Sequence, residues 1–152
     1  MKKLLSSVVF AGMVAVPVAV APPSDEPQAD YKKDPRFAKL QAFFSKGDCP
    51  AEKYAEVFLH AADKYDLDWR LLPSLSFIES TGGKAARNNN LFGWGQEEFP
   101  TPTAGIHKVG YRLAYSSLYK DKDLDGILST YNPSSDYPDR VKSVMRAIAP
   151  TE

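Results

Sequence analysis

A mainly α-helical domain with a small glycine-rich lobe or β-hairpin is the fold class this sequence predicts, on three observations. Apolar residues recur at steps of three and four along most of residues 35–148, the spacing of one helix face. Residues 82–103 break that pattern and carry Gly82, Gly83, Gly93, Gly95, Pro100 and Pro102. Candidate capping residues Asp34, Asp68 and Thr103 stand just ahead of periodic runs.

Taken in order, Lys2 and Lys3 precede an apolar run from Leu4 to Ala21, and Ala19-Val20-Ala21 fits the small-x-small pattern of a signal-peptide cleavage site. Pro22 after that site is a poor fit, so either the cut shifts or residues 1–21 stay as an anchor. Eighteen mostly apolar residues are at the short edge of a membrane span. The expectation is an exported protein, periplasmic or secreted, that meets a membrane only if this segment is retained. Residues 22–33 are polar and proline-rich with little to bury, and read as a linker. Residues 34–152 then form one domain, with no internal repeat.

Within it, a helix fits Pro35 to Lys46, with Asp34 as cap, Pro35 in the first position and Gly47 as stop. A second fits Pro50 to Tyr65, where Tyr54, Val57, Phe58, Ala61 and Tyr65 share a face. The third runs from Trp69 to Ser80 and buries Leu71, Leu72, Leu75 and Ile78. Glu79 falls beside Ile78, at the edge of that apolar stripe. Leu91–Trp94 and Glu97–Phe99 are the two arms expected of the hairpin. Helices resume over Ala104–Tyr119, with Thr103 as cap, then over Leu124–Thr130 and Pro138–Ile148.

Charge and composition narrow the function. The chain has 152 residues, 19 basic and 19 acidic. Without Lys2 and Lys3 the balance is 17 to 19, a net charge of −2. No basic excess or reading motif points to nucleic acid. Cys49 is the only cysteine, so no intrachain disulfide forms. His60 and His107 lack ligand-like companions, and no metal or other cofactor is expected. Asp121, Asp123, Asp125 and Gly126 resemble part of a calcium loop, but Asn132 stands where the closing glutamate belongs, so a capped turn is the better reading.

The chemistry centres on Phe77-Ile78-Glu79-Ser80-Thr81-Gly82-Gly83 and on Asn88-Asn89-Asn90-Leu91-Phe92-Gly93-Trp94-Gly95. The first sets a carboxyl group at the end of an apolar helical run, directly before a glycine turn. Apolar surroundings favour the protonated, proton-donating form of a carboxyl group. A negative side chain is also disfavoured at a helix C-terminus, so this placement asks for a reason. The second motif supplies amides and flat rings. Asn89, Asn90, Phe92, Trp94 and Gln96 are the candidate groove residues, because amides hydrogen-bond N-acetyl groups and rings stack on sugar faces.

The run Glu79–Ala85 with Asn89-Asn90-Leu91-Phe92-Gly93 resembles the lysozyme-like superfamily, and most nearly the bacterial endo-β-N-acetylglucosaminidase family that includes flagellar-type peptidoglycan hydrolases. Thr130-Tyr131-Asn132-Pro133 is similar to the tyrosine motif of lytic transglycosylases, and Tyr137-Pro138-Asp139-Arg140-Val141 to the start of their closing helix. The resemblance spans roughly residues 54–148. It implies a lysozyme-like fold and a monomeric glycosidase acting on peptidoglycan or a chitin-like glycan, with Glu79 as general acid. It also implies that Tyr131 helps orient that acid and that Asn132 adjoins the substrate.

A hydrolase ordinarily needs a second carboxylate, and Glu97 and Glu98 are the candidates near in sequence. The related glucosaminidases have a longer lobe at this point, whereas here it is only Trp94–Thr103. Two alternatives therefore stay open. One is a lytic transglycosylase, in which Glu79 alone serves as acid and then base. The other is a non-catalytic glycan-binding module.

Overall fold

Six α-helices carry the part of the chain that the computed structural model describes, residues 30–150. They are α1 (Pro35–Ser45), α2 (Ala55–Tyr65), α3 (Leu71–Ser80), α4 (Pro102–Tyr115), α5 (Leu124–Tyr131) and α6 (Tyr137–Ile148), with short 3-10 turns over Tyr31–Lys33 and Pro50–Tyr54. The signal segment and residues 22–29 of the linker lie outside the described residues, as do residues 151–152. None of the described helices is long and apolar enough to cross a membrane.

Local chemistry explains where each helix begins. Asp34 accepts the Arg36 backbone N–H at 2.8 Å ahead of α1, and Asp123 accepts the Gly126 N–H at 2.8 Å ahead of α5. Thr101, not the expected Thr103, caps α4 by accepting from the Ala104 N–H, with Pro102 in the first turn. The expected second helix divides in two, because Pro50–Tyr54 adopts the tighter 3-10 turn before α2 starts at Ala55.

The helix α3 is the centre of the domain. All of Leu71 to Ser76 is buried on it, and α6 packs along one side. Around it, α2 packs on α4, α1 on α2, and α5 on α6. Leu40 and Phe44, Phe58 and Leu59, Leu72 and Leu75, Ile106 and Leu113, Leu128, and Val141 close one apolar core from all six helices. The N-terminal edge is clasped by charge: Arg36 bridges Asp34 and Asp63, and Tyr31 donates to Asp63 at 3.1 Å. These contacts hold both aspartates below the usual carboxylate range, with the hydrogen bonds from Arg36 as the largest cause.

The expected β-hairpin does not form. The described residues contain no β-strand, only a single bridge between Arg87 and Asn90, so the glycine-rich β-lobe and the lysozyme-like fold expected around it are both corrected to an all-helical domain with an irregular loop over residues 81–101. The physical reason lies in Asn90. Its buried side-chain oxygen accepts the N–H groups of Phe92 and Trp94, each at 3.2 Å, and its amide donates to the carbonyls of Trp94 and Glu97. Backbone groups that a strand partner needs are thus satisfied by one side chain. Left-handed backbone at Gly93 and Gly95 breaks the extended path as well.

Candidate active site

The end of α3 positions Glu79. Thr81 and Gly82 both take left-handed backbone, and their N–H groups return to the carbonyls of Phe77 and Ser76. The chain turns sharply there, and only glycine suits position 82, where a Cβ would lie 2.7 Å from the Cys49 Cβ. Buried Ser80 fastens the following loop: its hydroxyl sits 2.7 Å from the Leu91 carbonyl and accepts the Gly83 N–H at 3.0 Å. Glu79 is therefore held on one side by a helix and faced on the other by the returning chain at Gly93. A Cβ at Gly93, whose φ is +57°, would meet the Glu79 Oε2 at 3.0 Å, so the loop backbone comes as close to the carboxyl group as a residue without a side chain allows.

The other carboxyl oxygen belongs to a tyrosine. Tyr137, at the start of α6 and 1% exposed, donates its hydroxyl to the Glu79 Oε1 at 2.5 Å. Tyr131 stacks on Tyr137 with rings parallel within 8° and centroids 5.9 Å apart. Its own hydroxyl, however, donates to the Phe92 carbonyl at 2.7 Å and not to Glu79. The orienting donor is thus Tyr137, with Tyr131 one layer behind. From the sequence, Tyr137 stands out only as the start of a helix. Its side-chain role arises from a contact across 58 positions, which helix periodicity does not reveal.

Glu79 opens onto a cleft of about 460 Å³ whose walls include Arg87, Asn88, Asn90, Gln96, Glu97 and Glu98. The remaining expected groove residues are placed differently. Phe92 is fully buried in the core. Asn89 donates to the carbonyls of Phe99 and Pro100, and Asn132 ends α5, accepting from the Ser134 N–H. Trp94 is half-buried, edge-on to Tyr131 and Tyr119, with the Arg112 guanidinium over its face at 5.4 Å. The asparagine run is chiefly architecture. Arg87–Asn90 is a tight turn with left-handed backbone at Asn88 and Asn89, a conformation asparagine tolerates well.

The two candidate second carboxylates both reach the cleft. Glu97 pairs with Arg112 at 2.6 Å, and Lys108 stands 4.0 Å away. Its Oε2 is enclosed and has no hydrogen-bonding partner among the described residues. Glu98 accepts from the Asn88 amide at 2.8 Å. No group of three or more potential metal ligands converges among the described residues.

Burial and the neighbouring Glu79 raise the proton affinity of both tyrosines well above that of a free phenol, burial being the larger cause. The folded state holds these protons more tightly than the unfolded chain. Their contribution is therefore complete below about pH 10 and is lost as the pH rises past it. Denaturant titrations should find stability falling above about pH 10, with a shallower fall in Tyr137→Phe. An unchanged slope in that variant would show that the Tyr137 proton is not coupled to folding.

No family model, curated protein or solved structure matches this chain.

Proposed function

We propose that the protein is an exported glycosidase that cleaves β-1,4 bonds between N-acetylated sugars of peptidoglycan, with Glu79 as general acid. One observation carries the reading: a half-buried carboxyl group at a helix end, gripped by the Tyr137 hydroxyl and pressed by the Gly93 backbone, opens onto a cleft large enough for sugar rings. Glycoside cleavage needs a proton delivered to the leaving oxygen while positive charge builds on the sugar ring. A carboxyl group fixed in one rotamer delivers that proton with less reorganisation than a free one. The apolar run over residues 4–21, read as an export signal, agrees with a substrate outside the cytoplasm.

Two courses of reaction are compatible with Glu79 as acid. In hydrolysis, a second carboxylate takes a proton from water as it attacks the sugar; Glu97 and Glu98 are the groups at hand. In transglycosylation, the C6 hydroxyl of the muramyl sugar attacks its own C1, and Glu79, having given up its proton, takes the hydroxyl proton back. The Arg112 pairing of Glu97 through Oε1 and the Asn88 contact of Glu98 favour this second course, because each acid already has one oxygen engaged.

Product analysis on purified wall material decides between them: a reducing end marks hydrolysis and an anhydro end marks transglycosylation. With Glu97→Gln, a hydrolase using that group as base should lose about 10²-fold or more in turnover, whereas a transglycosylase should change little. Wall material left intact by the native protein would reject the glycosidase and leave a glycan-binding module.

A further inference from the structure

We propose that Arg87 is a specificity residue that takes a carboxylate carried by the glycan, so that the cleft prefers an acid-bearing amino-sugar chain over a neutral chitin-like one. This rests on the glycan reading of the cleft above, and it names the residue that would make the cleft choose the acid-bearing chain of peptidoglycan.

Five observations converge on Arg87. It lines the same cleft as Glu79, Glu97 and Glu98. Each of those three acids has a partner elsewhere: Tyr137 for Glu79, Arg112 for Glu97, Asn88 for Glu98. Arg87, by contrast, forms no ion pair and no side-chain hydrogen bond with any described residue. It is also the only basic side chain in the lining. Finally, its backbone is fixed, because it opens the tight Arg87–Asn90 turn, whose Asn90 N–H returns to the Arg87 carbonyl at 2.9 Å.

A cation kept only to offset cleft acidity would sit against one of those glutamates. An arginine left open in a site whose other charged side chains are all carboxylates is instead matched to a carboxylate arriving with the ligand, which its planar fork binds in two-point fashion. Without it, the lining of the cleft would offer an acid-bearing chain no positive charge. Where the muramyl sugar of peptidoglycan carries no peptide, its lactyl ether ends in a free carboxylate; where a peptide is attached, that carboxyl is taken up in the amide bond and the free carboxylates are the peptide's.

Binding is the direct test, on the full chain and on Arg87→Gln. The probes are a peptide-free glycan of alternating N-acetylglucosamine and N-acetylmuramic acid, the same glycan with peptides attached, and a neutral N-acetylglucosamine oligomer of equal length. The native protein should prefer an acid-bearing glycan, and Arg87→Gln should reduce that preference roughly tenfold, with Arg87→Lys recovering part of it. A preference already complete on the peptide-free glycan assigns the lactyl carboxylate; one that appears only with peptides attached assigns the peptide. Equal affinity of the native protein for acidic and neutral glycans overturns the proposal, as does a fall in Arg87→Gln that is the same for both. Arg87-dependent binding without any turnover would uphold this inference and reject the glycosidase.

Discussion

Glu79→Gln is expected to lower glycan cleavage by ~10²–10⁴-fold, the usual worth of a positioned general acid. Glutamine matches the shape of the side chain, and its amide oxygen can still accept from Tyr137. What it lacks is a transferable proton. Fold and ligand affinity should therefore persist while turnover collapses, a separation that identifies transition-state chemistry and not substrate grip. Tyr131→Phe should cost far less, because that hydroxyl bonds to the Phe92 carbonyl and not to the acid. Measured turnover of wall material by purified Glu79→Gln close to that of the native protein would remove Glu79 from the reaction.

Phe92→Ala is expected to cost stability, on the order of 3–5 kcal/mol, as for other large aromatic rings removed from a packed core. Phe92 has no exposed surface, and its carbonyl anchors Tyr131. Total stabilities of single domains are roughly 5–15 kcal/mol, so the loss would be a large part of the whole. Urea denaturation measures it directly. The contrary result, an unchanged midpoint with weakened glycan binding, would mean that the ring faces the substrate after all.

The helices were readable in the sequence because their signals are local. The buried stripes of Leu71, Leu72 and Leu75 and of Val141, Met145 and Ile148 recur at helical spacing, and Asp34 and Asp123 bond within two or three residues. The edge position of Glu79 was legible for the same reason. The loop was not. Its course is set by Asn90, whose side chain satisfies four backbone groups, and by left-handed residues whose turn types depend on each other. Leu91–Trp94 and Glu97–Phe99 suggested the two arms of a hairpin, but a strand requires a paired neighbour, and among the described residues neither arm has one. Asn89 looked like a free amide for the same reason that Asn90 did: composition records the donor and not the carbonyl it has already found. The partnership of Glu79 with Tyr137 depends on how α6 docks against α3, and no pattern along either helix states it.

That docking also imposes an order in time. A chain made from its N-terminus presents Glu79 while Tyr137, 58 positions later, has yet to be added. Contacts between distant segments close late, after the loop between them has formed. The nascent polypeptide therefore carries the acid without its clamp, and the paired site comes into being only when α6 settles. Loss of that helix, by premature termination or by proteolysis before residue 137, would leave a chain that keeps Glu79 and lacks the geometry that holds it.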